Sequence, residues 1–198
     1  AAALAQTQRL LGEVEGEAAR ARAETVEARL RGLGRLAEKL MQLARAQGAR
    51  LVSDAPVDVG PALRLVVAEA RRADGLGERL VATLPAGPIL SRVDADALAI
   101  ELRNLIENAA RHGAGDAPVT VEVEACALRV VNRGPVVAPE VLARLTRPFE
   151  RGATEASGSG LGLAIVAAIA RESGATLDLR SPAPGLPDGF EARLGWPA

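Results

Sequence analysis

Gly158-Ser159-Gly160-Leu161-Gly162-Leu163 is followed directly by the apolar run Ala164-Ile165-Val166-Ala167-Ala168-Ile169. Three alternate glycines lack Cβ atoms and lose more backbone entropy on ordering than other residues, so they do not make helix interior. They make a loop that ligand atoms can approach closely. The run behind them is helix-forming and apolar as far as Gly174. A glycine loop that opens a helix gathers unpaired N–H groups and the positive dipole end at one point, which suits an anion. The segment reads as a phosphate-binding loop, with a flexible glycine-rich turn as the alternative.

Two common phosphate loops do not fit. A Walker-type loop needs Lys and then Ser or Thr after its last glycine, and the single lysine of the chain is Lys39. A dinucleotide fingerprint needs a strand immediately before the glycines, whereas Arg151 to Ser157 is small and polar. A third kind of nucleotide site is left.

Composition sets the outer bounds. The 198 residues are 48% hydrophobic, ample for a core, and carry a net charge of −1, which gives no general attraction to nucleic acid or membrane. One Cys and one His exclude an internal disulfide and make a His/Cys zinc site untenable. No apolar run approaches the roughly 20 residues of a membrane-spanning helix. These features predict a soluble, cytoplasmic chain. Ala1-Ala2-Ala3-Leu4 reads as mid-helix, as in a fragment of something longer.

Residues 1 to 47 contain no Pro and read as helix, with a break at Gly12 to Gly16. In the longer second helix Val26, Leu30, Leu33, Ala37, Leu40 and Ala44 recur at steps of three and four, a core-facing stripe. A lone hairpin cannot bury so broad a stripe, whereas two hairpins in a four-helix bundle can. The alternative is a hairpin packed on its own C-terminal domain. Gly48 and Pro56 mark the boundary. After it the pattern becomes mixed: strands near Val57–Val59, Arg79–Leu84 and Ile89–Val93, helices over Pro61–Arg72 and from Asp94 to His112, then a hairpin of Val119–Glu124 with Ala127–Val131. A short helix over Pro139–Arg147, the glycine segment, and strands at Thr176–Arg180 and Phe190–Leu194 complete it. This predicts one sheet with helices on one face, an α+β sandwich.

Asn104 and Asn108 share a face of the Asp94–His112 helix. Asn is mildly unfavourable within helices, and a carboxamide oxygen suits a magnesium ion already neutralised by nucleotide phosphates. Arg111, one step on, can pair with phosphate oxygens. The alternative is a solvated polar face. Asn132-Arg133-Gly134-Pro135 and Arg147-Pro148-Phe149-Glu150-Arg151 follow before the glycine loop.

This ordered set resembles the catalytic and ATP-binding domain of two-component sensor histidine kinases. Asn104–His112 resembles that family's asparagine box, Asn132–Val136 its first glycine box, Phe149 its phenylalanine box and Gly158–Leu163 its second glycine box. Arg35 to Arg45 resembles the second helix of its dimerisation and phosphotransfer hairpin. The resemblance implies a truncated helical hairpin over 1–50, half of a dimeric bundle, and an α/β sandwich of the histidine kinase, gyrase and chaperone ATPase type over 55–198. It implies Mg–ATP as ligand, with Asn108 holding the metal and Asn104 helping to position phosphates or metal. Arg111 and His112 are implied beside phosphates and sugar, and Asn132 and Gly134 at the adenine. Gly158, Gly160 and Gly162, with Leu161 and Leu163, are implied to bring the following helix to the phosphates. Residues 137–157 are implied to form a lid anchored by Phe149. The implied partners are a second copy through residues 1–47 and a response regulator receiver domain, with a membrane reached only through segments outside this chain.

The sequence departs from that family in two places. Asn132 stands where an Asp is usual and Val136 where a Gly is usual. Asn keeps a carbonyl oxygen to accept the same bond without charge assistance. The phosphoacceptor box of His, Glu and Pro is missing, and Ala1 falls just after it. His112 is the sole histidine and belongs to the nucleotide helix, so the chain is not expected to label itself, and its catalytic residues are unassigned. A dimeric adaptor that binds a response regulator without turning over ATP is the alternative function. A gyrase-type ATPase expects an acidic residue at Asn104.

Overall fold

The computed structural model describes residues 5–7, 9, 16–46, 51–72, 76–150 and 159–197. The chain divides into two compact units, residues 1–42 and 43–198. Helix α1 spans Glu17–Ala46, most of it in the first unit and its last turn in the second, and is preceded by Gly16 at φ 97°. The first helix of the expected hairpin lies largely outside the described residues. The stripe expected to face a core is uncovered in the single chain: Val26, Leu33 and Leu40 are 48%, 62% and 43% exposed.

After α1 the second unit continues with β1 (Val52–Asp58) and α2 (Gly60–Arg72). The Asp58 carboxylate accepts from the N–H groups of Ile89 and Gly60, both at 2.9 Å. Those two bonds, the Ile89 one foremost, hold its pKa below the usual carboxylate range. After β2 (Leu80–Thr83) and β3 (Leu90–Val93) comes α3 (Ala95–His112). Asp94 caps it, its side chain accepting from Asp96 N and Ala97 N at 3.0 Å. Then follow β4 (Val119–Val123), β5 (Ala127–Asn132), the short α4 (Pro139–Leu142), α5 (Gly162–Ser173), β6 (Thr176–Arg180) and β7 (Phe190–Gly195).

The main sheet has the order β2-β4-β5-β7-β6. β2 runs parallel to β4 and the other pairs are antiparallel. α3 lies over β4 and β5, flanked by α2 and α5. Burial alternates along β4, so one face meets the helices and the other meets water. On the face away from the helices Arg129 bridges Glu122 at 2.7 Å and the buried Glu191 at 3.3 Å, a cross-strand ion ladder. Leu98, Leu102, Leu105 and Ala109 bury one side of α3 almost completely, each leucine contributing about 1.5–3 kcal/mol. α5 is buried from Leu163 to Ala170 apart from Ala167, as expected of a helix apolar nearly all round. Gly174, at φ 72°, closes it.

Two expectations are corrected. The strands do not form one sheet: β1 and β3 pair only with each other, in a separate two-stranded ribbon. Pro56 lacks a ladder donor and the register slips between Val52 and Val57, which suits an isolated ribbon rather than an inner strand. The helix expected over Pro139–Arg147 is a single turn ending at Leu142. Beyond it the backbone bonds tighten to three-residue steps, Arg144 N to Val141 O and Arg147 N to Arg144 O, and Pro148 cannot extend a helix.

Candidate nucleotide site

α3 carries the polar stripe. Asn104 is buried at 4% exposure, and its Nδ2 donates to Ile100 O at 2.9 Å. Asn108 is half-buried and Arg111 exposed. Neither the Asn108 carboxamide nor the Arg111 guanidinium has a partner among the described residues. The stripe therefore runs from the interior outward, with an uncommitted oxygen ligand followed by an uncommitted cation.

The chain after β5 abuts the end of this helix. Ala114 N donates to Arg133 O at 2.8 Å, joining the helix exit to the Asn132–Gly134 turn. Asn132 is 3% exposed, and its Nδ2 donates to Arg133 O at 3.1 Å. That commits the nitrogen and keeps the side-chain oxygen as acceptor. The turn is fastened from behind by the loop before β7. Gly189 N donates to Gly134 O at 2.8 Å, and Ser181 Oγ bridges Val137 N and Gly189 O at 2.9 and 2.7 Å. Arg133 grips Asp188 with two hydrogen bonds, and that bond lowers the Asp188 pKa. Sequence reading had not found this fastening, because Ser181, Asp188 and Gly189 lie some fifty residues from the turn and look like ordinary loop residues.

Gly160 adopts φ 67°. Its carbonyl accepts from Phe149 N at 3.0 Å, and a Cβ on Gly160 would come within 2.9 Å of the Phe149 and Glu150 backbones. Phe149 and Gly160 therefore meet backbone to backbone. The Phe149 ring itself is 62% exposed. Gly158 lies outside the described residues. Gly162 is the first residue of α5, and no side chain caps that end, so its N–H groups are available to an anion. Leu161 and Leu163 are buried, so the backbone is what they offer a ligand. α5 packs against α3, the helix that carries the asparagine stripe. His112 is half-buried at the end of α3.

One polar group on α3 was not anticipated. Glu101 is fully buried, and burial pushes its pKa up to about 9. Its helical phase, three residues before Asn104, already placed it on the inner face. Its charge alone argued for the surface. A separate cleft at the far end of the sheet, bordered by Glu124, Cys126, Asp178, Arg193 and Trp196, includes none of the predicted site residues.

The donor set fits a nucleotide with a divalent ion. No group of three or more His, Cys, Asp or Glu able to hold a metal exists among the described residues. A family profile described as histidine kinase-, DNA gyrase B- and HSP90-like ATPase matches residues 93–197. The chain belongs to that family. Within this ATPase family it stands with the sensor histidine kinases. It is 41% identical to the sensor protein QseC of Escherichia coli K12 over 101 residues, covering 50% of this chain and 22% of that protein. It is 31% identical to the probable sensor histidine kinase TcrY of Mycobacterium tuberculosis over 173 residues, covering 82% of this chain and 36% of that protein. The chain thus spans about a fifth to about a third of these relatives. The crystal structure of full-length ShkA in complex with AMPPNP superposes at TM-score 0.69 and 26% identity, over 98% of this chain and 42% of that one. No helix among the described residues is long and apolar enough to cross a membrane.

Proposed function

We propose that residues 55–198 bind Mg–ATP, and that the protein containing this chain transfers the γ-phosphoryl group to a histidine outside it, which in turn supplies a response regulator. What supports this reading is the polar stripe on α3, whose Asn108 and Arg111 side chains have no partner among the described residues, together with the packing of α3 against α5, whose start no side chain caps. Asn108 holds the magnesium ion and Asn104 orients the phosphates. Arg111, His112 and the glycine segment 158–162, through backbone N–H groups, surround phosphates and sugar. The Asn132 oxygen accepts from the adenine amino group beside Gly134. ATP supplies the phosphoryl group; the residues of this chain position it and neutralise its charge, which is most of what phosphoryl transfer asks of a protein.

Asn108→Ala is expected to weaken Mg–ATP binding by about tenfold or more while changing metal-free ATP binding little, about one hydrogen-bonded ligand's contribution. Calorimetry with and without magnesium measures this, and equal losses remove Asn108 from the metal shell. We also propose that residues 1–47 pair with a second copy. The uncovered Val26, Leu33 and Leu40 on α1, together with Met41 at 56% exposure, support it. Light scattering should show a concentration-dependent mass that Leu33→Glu reduces to the monomer; a wild-type chain that stays monomeric at every concentration contradicts the pairing.

A further inference from the structure

The cleft at the far end of the main sheet measures about 760 Å³, a size that suits a small molecule. Its floor is made of small residues: Ala127, Gly195 and Thr176 lie side by side across β5, β7 and β6. Arg193 stands two residues back along β7, on the same face as Gly195. It lies directly opposite Arg129 on one side and Asp178 on the other. Arg129 is a like charge, and like charges so placed repel. Asp178 is held by Arg180 at 2.6 Å. Arg193 has no partner among the described residues. The Glu124 carboxylate, across the floor at the end of β4, is exposed and likewise has no partner among them. The cleft thus carries one uncommitted cation and one uncommitted carboxylate on two sides of a floor of small residues, with Trp196 at its border.

We propose that this cleft binds a short apolar peptide, its carboxylate on Arg193 and its ammonium group on Glu124. A guanidinium takes a carboxylate through two parallel hydrogen bonds. One free charge of each sign selects a zwitterion over a simple anion, which Glu124 and Asp178 would repel. Two strand spacings across and two residues along put the Glu124 and Arg193 Cα atoms roughly 12 Å apart. A dipeptide, about 7 Å long, fits between them with its ends toward the two charges. Ala125, Ala127, Gly195 and Trp196 offer its side chains an apolar lining. The cleft shares no residue with the nucleotide site, so the proposal stands without the Mg–ATP reading.

Trp196 is the sole tryptophan and borders the cleft, so its fluorescence reads binding. The full chain is titrated with leucyl-leucine, N-acetyl-leucyl-leucine and leucyl-leucine amide, and calorimetry repeats each titration. Leucyl-leucine should give a saturable signal, and each blocked peptide should bind about tenfold more weakly, the scale of one charged hydrogen bond. Arg193→Gln should lose about tenfold for leucyl-leucine and less than about threefold for the amide, which has no carboxylate. Glu124→Gln should lose as much for leucyl-leucine and as little for the N-acetyl peptide. Both side chains are exposed, and thermal melts confirm that the variants fold. Gly195→Val, which fills the floor, should abolish binding; if it does not fold, the two charge variants decide alone. Three results overturn the proposal. They are no saturation by either method up to about 10 mM leucyl-leucine, equal binding of the free peptide and either blocked one, and wild-type affinity in Arg193→Gln or Glu124→Gln.

Discussion

Glu101→Met is expected to stabilise the fold, and to do so more as the pH rises. In the unfolded chain this carboxyl ionises near its model value of 4.5, and in the folded protein near 9. Between those values the folded state holds a proton that the unfolded state has lost. Wild-type stability therefore falls with rising pH across that window, by up to about 1.4 kcal/mol per pH unit, and the group contributes nothing below it. At pH 7.5 the accumulated penalty is at most about 4 kcal/mol. Methionine fills a similar volume without a polar atom, so it removes the penalty and flattens the slope. Urea unfolding of both proteins at several pH values measures this. The single tryptophan, Trp196, is 4% exposed in this domain and reports on it directly. Stability curves that stay parallel from pH 5 to 9 would show that Glu101 is solvated or paired in solution.

Gly189→Ala is expected to destabilise the same domain by about 3 kcal/mol or more. Gly189 sits at φ 84°, where a side chain costs roughly 1–2 kcal/mol. A Cβ there would also run into the Asn132 carbonyl oxygen and approach Arg133 Cα at 3.2 Å. Neither neighbour is the free end of a side chain, so backbone must move. What moves is the turn that presents Asn132, so nucleotide affinity should fall together with stability. A midpoint shift equivalent to less than about 0.5 kcal/mol, the scale of an ordinary surface change, would mean that the loop relaxes without disturbing Asn132.

Local rules explain which features could be read in advance. Asp94 before a leucine stripe is enough to start α3, and the alternation of Val119, Val121 and Val123 is enough to make β4 a half-covered strand. The glycine segment opening α5 follows from the same local logic. What local rules could not supply is partnership. Val57 and Ile89 look like members of a general sheet, and only the parallel pairing of β2 with β4 leaves β1 and β3 to each other. Arg147 has helical composition, but the three-residue bonds after Leu142 prevail. In the site, the asparagine stripe is a matter of helical period. The grip of Asp188 on Arg133 joins residues 55 positions apart, and no periodicity announces it. Glu101 had the phase of a buried residue and the chemistry of an exposed one, and packing followed the phase.

The order of strands in the main sheet bears on how the domain comes into being. β7 is the last strand in sequence, yet it lies inside the sheet, between β5 and β6. It pairs Arg129 with Arg193 across 64 residues, and β6 has no other partner strand among the described residues. During synthesis β5 waits with one edge open until nearly the whole domain has left the ribosome, and β6 has no strand to pair with until β7 follows it. Contacts so distant in sequence slow folding, and unpaired edges invite association with other chains. The Asn132 turn, at the open edge of β5, is therefore fastened only once β7 and the loop before it have emerged, and a ribosome paused before Phe190 carries a domain whose Asn132 turn lacks that fastening.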